Sequence, residues 1–136
     1  MRSVARSYFA TLIAFVAIDF VWLSLVAERL YRPILKDILL DGFRVPAALA
    51  FYFVYTAGLT ALAVRPALAA ESPPLALRNG AIFGFCAYAT YDLTNEATLR
   101  NWTTLLTLTD LAWGTLLSAS AALAGLSATR AFASRS

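Results

Sequence analysis

Long apolar blocks alternate with short polar segments along this chain. Four blocks of roughly twenty mostly apolar residues lie at about residues 8–27, 46–64, 77–95 and 103–126. An α-helix advances about 1.5 Å per residue, so about twenty residues span the ~30 Å hydrocarbon layer of a membrane. The pattern therefore predicts an all-α fold, a four-helix transmembrane bundle that forms one integral membrane domain over residues 1–136.

A charged segment with an apolar stripe separates the first two blocks. Residues 28–44 hold most of the charge in this half of the chain, and Pro33 and Gly42 suit the first turn and the end of a short helix. Four apolar residues would share one face of that helix: Ile34, Leu35, Ile38 and Leu39. The pattern predicts a short interfacial helix over residues 33–42, lying in the plane of the membrane surface, with a plain connecting loop as the alternative.

The composition supports a membrane protein and argues against several other classes. The chain is 60% hydrophobic and 14% charged, whereas a soluble domain is about 45–50% apolar. Its 11 Lys and Arg residues lie singly or in small groups at the ends of the apolar blocks, which is typical of interfacial anchors and not of a nucleic-acid surface. The chain has no His and one Cys, Cys86, so we expect neither a metal nor a cofactor.

Three carboxylates interrupt the apolar blocks: Asp19, Asp92 and Asp110. A charged side chain inside a bilayer costs several kcal/mol and usually faces protein or water, so each is a candidate functional residue. Successive transmembrane helices alternate in direction, and depth can therefore be counted from the nearest flanking arginine. Four residues lie eight to ten positions from such an arginine, or about 12–15 Å deep: Asp19, Tyr52, Asp92 and Asp110.

Aromatic side chains surround this predicted polar layer. Two segments read Asp-x-x-Trp, which places an indole one turn from a carboxylate on the same helix face. Carboxylates beside aromatic rings suit a cation through charge pairing and cation-π contact. The predicted ligand-binding residues are Asp19, Trp22, Tyr52, Tyr88, Tyr91, Asp92, Asn95, Asp110 and Trp113. The alternative is structural, with the carboxyls bonded between helices and the aromatic rings serving as packing or interfacial anchors.

Several motifs give the chain a family resemblance. They are the Tyr-Asp-Leu-Thr-Asn sequence of residues 91–95, the Asp-x-x-Trp segments that begin at Asp19 and Asp110, and the Tyr-Arg-Pro sequence of residues 31–33. On these residues the chain resembles a bacterial family of small membrane proteins known as domain of unknown function 2177. The similarity covers nearly the whole chain. It implies a multi-pass protein of the bacterial inner membrane and brings no reaction with it.

The sequence leaves three functions open. The first is a protein that binds or transports a small cationic or amphipathic ligand, with a proton link through its carboxyls. The alternatives are an accessory subunit of a larger membrane complex and a membrane enzyme that modifies a lipid or isoprenoid, so the chain is not assigned as an enzyme. The expected partners are the lipid bilayer, a small-molecule or lipid ligand, and a second copy or a larger complex, with no nucleic acid. The basic residues divide six to five between the two sides, which favours cytoplasmic termini.

Overall fold

Four helices account for most of the computed structural model, which describes residues 1–134. We label them α1 (Arg2–Leu35), α2 (Val45–Ala69), α3 (Pro73–Thr98) and α4 (Thr104–Ala133). Residues 1–134 contain no strand, so the predicted all-α class is confirmed. Helices α1, α2 and α4 are each long and apolar enough to cross a membrane. The helices extend beyond the predicted apolar blocks because their polar ends are helical too.

Helix α3 is the least apolar of the four, and its membrane crossing stays a prediction. It has 26 residues, enough for about 39 Å of helix. Its buried face against α4 carries Gly80, Gly84 and Asp92, which lower its hydropathy. A Cβ atom built on Gly84 would lie only 2.3 Å from the carbonyl oxygen of Gly114. The small residues therefore let the backbones of α3 and α4 approach closely, as in other membrane helix pairs.

Two helices contain a widened, π-helical stretch. In α1 it covers Leu23–Tyr31 and in α2 it covers Thr60–Val64. Each stretch ends two residues before a proline, Pro33 or Pro66. A proline has no N–H and its ring crowds the preceding turn, and a wider turn relieves both problems without ending the helix.

The α1–α2 link differs from the predicted short helix over residues 33–42. Residues 33–35 complete α1, and residues 36–44 form turns, bends and extended chain. The physical reason is that Pro33 follows the π-helical stretch inside a continuous helix, so it does not begin a new one. The apolar residues expected on an interfacial helix are divided accordingly, with Leu35 buried and Ile38 and Leu39 exposed.

Side-chain caps define where α3 and α4 begin. The hydroxyl oxygen of Ser72 accepts the Leu75 N–H at 3.3 Å, and the hydroxyl oxygen of Thr103 accepts the Leu106 N–H at 3.2 Å. Two prolines, Pro73 and Pro74, occupy the first turn of α3, where their missing N–H groups leave no intrahelical bond unmade. The caps hold the two helices in register for the buried polar residues further along.

Helix α4 is central and packs against both α1 and α3. The two halves of helix α2 pack against different helices. Its first part, Val45–Leu59, packs mainly on α1, whereas Thr60–Val64 makes most of its contact with α3 and α4. Helices α2 and α3 therefore diverge toward the side of the α1–α2 link. The divergence leaves room for a cavity between them.

Candidate ligand-binding site

A cavity of about 560 Å³ occupies the half of the bundle near two links, the α1–α2 link (residues 36–44) and the α3–α4 link (residues 99–103). Its size falls within the range of about 300–1,000 Å³ that is usual for small-molecule sites. Its lining residues come from all four helices and both links: Asp19, Trp22, Leu23, Tyr31, Leu35, Leu39, Phe51, Tyr52, Tyr55, Ala87, Tyr88, Tyr91, Trp102, Asp110 and Trp113. Among residues 1–134, the lining includes two carboxyls and no Lys or Arg.

Asp19 of α1 is held by donors from two other helices. The Tyr52 hydroxyl of α2 donates to its Oδ2 at 2.7 Å, and the indole Nε1–H of Trp113 in α4 donates to its Oδ1 at 3.3 Å. The Asp19 residue is only 6% exposed. Because a buried carboxylate needs hydrogen bonds to offset the loss of water, these two donors make it tolerable inside the bundle.

Asp110 of α4 is held through a short chain of aromatic donors. The Tyr31 hydroxyl donates to Asp110 Oδ1 at 2.6 Å, and the Trp22 Nε1–H donates to the Tyr31 hydroxyl oxygen at 3.0 Å. Tyr31 reaches the site because α1 continues to Leu35 instead of ending before it. The continuation of α1 past the predicted boundary at residue 27 thus supplies one of the groups around the second carboxyl.

The two indoles of the Asp-x-x-Trp segments stack on each other. The ring centroids of Trp22 and Trp113 are 4.3 Å apart and their planes are 5° from parallel. The stack lies between the two carboxyls, because Trp113 bonds to Asp19 while Trp22 bonds to the hydroxyl that holds Asp110. The indoles present electron-rich faces beside two acidic groups, a combination that favours positive charge.

Asp92 lies behind Asp110 and does not line the cavity. In the antiparallel α3–α4 pair, the Tyr88 ring covers Gly114, and one turn further along lie Asp92 and Asp110. Asp92 is fully buried, and neither of its oxygens has a hydrogen-bond donor among the described residues. The Asp110 carboxyl lies close enough to interact with it. Two carboxylates offer only acceptors, so this contact becomes a hydrogen bond when one carboxyl holds a proton.

Of the nine predicted ligand-binding residues, the structure places seven in the cavity lining: Asp19, Trp22, Tyr52, Tyr88, Tyr91, Asp110 and Trp113. Asp92 and Asn95 stay outside it, with Asn95 next to the Tyr91 side chain one turn away. Sequence reasoning missed Tyr31 and Trp102. Tyr31 belongs to the Tyr-Arg-Pro motif, but its distance from the apolar block hid its role. Trp102 lies in the α3–α4 link and is fixed by donation to the Thr107 hydroxyl oxygen at 2.9 Å.

These features define a class: an integral membrane protein of apolar helices that enclose a cavity lined by carboxyl and aromatic groups. The model of a family described as "Predicted membrane protein (DUF2177)" matches residues 4–127. The chain belongs to this family of predicted membrane proteins. Comparisons with curated proteins and with solved structures gave no match.

Proposed function

We propose that the cavity binds the positively charged group of a small or amphipathic ligand. The observation that carries the proposal is the pair Asp19 and Asp110, two buried carboxyls in one cavity whose described lining has no basic residue. Both carboxyls already accept hydrogen bonds. A hydrogen-bond donor, however, supplies only part of the positive charge needed to balance an ionised carboxylate. A cation between them would complete that balance.

The stacked indoles support the same ligand. A cation beside Trp22 and Trp113 gains cation-π attraction of about 0.5–2 kcal/mol, more where water is excluded. The tyrosine hydroxyls around the carboxyls can orient a polar group next to the charge. Because Asp92 adjoins Asp110 and has no donor among the described residues, the two carboxyls suit a shared proton, which a cation bound to Asp110 would replace. Ligand binding is in this way proton-linked.

A lipophilic cation offers a direct test of the proposal. Purified protein in lipid nanodiscs is titrated with tetraphenylphosphonium, while tryptophan fluorescence and the unfolding temperature are followed. We expect saturable quenching, because Trp22 and Trp113 lie in the cavity, together with a higher unfolding temperature. Triphenylphosphine oxide, which is similar in shape but uncharged, serves as the ligand control and should have no effect.

Two substitutions connect this response to the carboxyls. Asp19→Asn and Asp110→Asn each remove one negative charge and should weaken tetraphenylphosphonium binding at least tenfold. The matched control is Asp41→Asn, which removes the same charge from the exposed α1–α2 link. Equal affinity for the wild-type protein and both cavity variants would refute the proposal, as would equal binding of the uncharged compound.

We further propose that the protein resides in the bacterial inner membrane with cytoplasmic termini. The basis is the slight excess of basic residues on the side of the termini. The cavity and both links would then face the periplasmic half of the bilayer. Reporter fusions at each terminus test this orientation, and activity of a periplasmic reporter at the C-terminus would reverse it.

A further inference from the structure

The end of the cavity nearest the links is closed by a small apolar cluster. Leu35, Trp102 and Leu106 pack together there and are 5%, 9% and 0% exposed. Two of these three, Leu35 and Trp102, also line the cavity. The indole of Trp102 is held on one edge by its hydrogen bond to Thr107 and contacts the Tyr91 ring, with centroids 5.6 Å apart. The cluster therefore separates the carboxyls from the water beyond the links.

Four lining residues reach the outside of the protein, and two of them, Phe51 of α2 and Tyr91 of α3, flank the gap between those helices. The four are Leu23, Leu39, Phe51 and Tyr91, which are between 41% and 57% exposed. All four are apolar or aromatic, whereas the two carboxyls in the lining are buried. A mouth for a water-soluble ion would carry polar or charged groups at this position. An apolar rim instead suits contact with lipid tails.

The opening lies where α2 diverges from α3. Val45–Leu59 packs mainly on α1, and α2 reaches α3 chiefly through Thr60–Val64, farther from the links. Phe51 stands on the α2 side of the resulting gap, and Ala87 and Tyr91 stand on the α3 side. Ala87 has the smallest side chain in the lining and therefore fills little of the gap.

We propose that the ligand is an amphipathic cation that enters sideways from the bilayer through the gap between α2 and α3. This inference rests on the proposed cation site. The ligand's charged head lies between Asp19 and Asp110, and its hydrocarbon chain extends past Phe51 and Tyr91 into the lipid. A head that carries an amine or a quaternary ammonium on an alkyl chain has this chemistry. Hydrophobic partition brings such a molecule to the opening, whereas a small hydrophilic cation meets the closed end.

A pair of quaternary ammonium ions tests the inference. Wild-type protein in nanodiscs is titrated with dodecyltrimethylammonium and with tetramethylammonium, which share the trimethylammonium group and differ in the chain. Tryptophan quenching gives each affinity, expressed in the total ligand concentration so that the gain from membrane partition is retained. We expect dodecyltrimethylammonium to bind at least a hundredfold more tightly than tetramethylammonium. Dodecyl maltoside, with the same chain and an uncharged head, should not quench.

A matched pair of substitutions tests the route. Ala87→Trp fills the gap from the α3 side and should weaken dodecyltrimethylammonium binding at least tenfold. Ala89→Trp adds the same ring two residues away, outside the cavity lining, and should leave the affinity unchanged. Circular dichroism and the unfolding temperature establish that both variants fold. If Ala87→Trp fails to fold, Trp102→Ala replaces it, and opening the closed end should then raise the association rate of tetramethylammonium at least tenfold.

The outcomes separate the two proposals. Equal affinities for the two ammonium ions, each referred to the total ligand concentration, or unchanged dodecyltrimethylammonium binding in Ala87→Trp, would refute entry from the bilayer while leaving the cation site in place. The same holds if Trp102→Ala folds and leaves the association rate of tetramethylammonium unchanged. Failure of tetraphenylphosphonium and both ammonium ions to bind a folded protein would refute the cation site itself.

Discussion

Trp22 of α1 and Trp113 of α4 stack face to face, 91 positions apart in the chain, with their ring centroids 4.3 Å apart. Each indole lies one turn after an aspartate in its own helix, yet each donates its hydrogen bond to a different residue. Trp113 donates to Asp19, and Trp22 donates to Tyr31, which in turn donates to Asp110. The two Asp-x-x-Trp segments are thus joined crosswise, and the stack connects α1 to α4 beside the cavity.

A double-mutant cycle measures this stack. Trp22→Leu and Trp113→Leu are made singly and together, and the free energy of unfolding is measured in mixed detergent. We expect a coupling of about 0.5–1.5 kcal/mol, the usual value for an aromatic pair beyond its buried area. The control cycle combines Trp22→Leu with Phe83→Leu, since the Phe83 ring packs on Tyr55 instead. Additive effects in the first cycle would contradict the stacked arrangement.

The two tyrosines that donate to the carboxyls should contribute differently to the free energy of unfolding. Tyr31→Phe removes the donor seen on Asp110, and we expect it to lower the free energy of unfolding by about 1–3 kcal/mol, the cost of an unsatisfied buried polar group. Tyr52→Phe should cost less, because Asp19 retains the Trp113 indole as a donor. Chemical denaturation of both variants under the same conditions makes the comparison. A larger loss for Tyr52→Phe would reverse this ranking of the two donors.

The contact between Asp92 and Asp110 predicts an unusual effect of an amide. Asp92→Asn introduces an N–H donor beside the Asp110 carboxyl, where the wild-type chain offers two acidic groups and Asp92 has no donor. We therefore expect the free energy of unfolding to be maintained or raised by about 1 kcal/mol. Asp41→Asn, in the exposed link, is the control for the change of charge. A loss greater than about 1 kcal/mol in Asp92→Asn alone would show that two carboxyls pack better than an amide and a carboxyl.

The close approach of α3 and α4 predicts a strong effect of one methyl group. A Cβ atom at Gly84 would lie 2.3 Å from the Gly114 carbonyl oxygen and 2.5 Å from the Ser118 hydroxyl oxygen. Gly84→Ala must therefore push the backbones apart, and we expect it to lower the free energy of unfolding by about 1–3 kcal/mol or more. Gly42→Ala is the matched control, since nothing lies within 4 Å of the added Cβ. Similar stability of the two variants would contradict this packing.

The periodicity of the chain was a good guide to helices and a poor one to their ends. The apolar blocks predicted all four helices because burial in hydrocarbon leaves a clear pattern in composition. The end of α1 was missed, since charged residues such as Glu28 and Arg29 suggested that the helix had already stopped. A helix that continues into the membrane surface needs no further apolar residues. The local composition therefore does not indicate how far α1 extends beyond its apolar block.

The polar layer was predictable in depth but not in detail. Counting residues from the flanking arginines places Asp19, Asp92 and Asp110 at similar depth, because the rise of a helix is constant. The same count cannot assign Asp92 to the α3–α4 interface and Asp19 to the cavity, since that depends on the rotation of each helix against its neighbours. Helix rotation is set by close contacts such as the one between Tyr88 and Gly114.

By itself, the sequence determined a helical membrane protein with acidic and aromatic residues at one level, since hydrophobic length and helical rise are local properties of the chain. Tertiary structure alone decided that Trp22 and Trp113 stack, that Tyr31 reaches Asp110, and that the divergence of α2 from α3 leaves a cavity. These features depend on packing between residues far apart in the chain, where the size and shape of each side chain select one arrangement among many of similar composition.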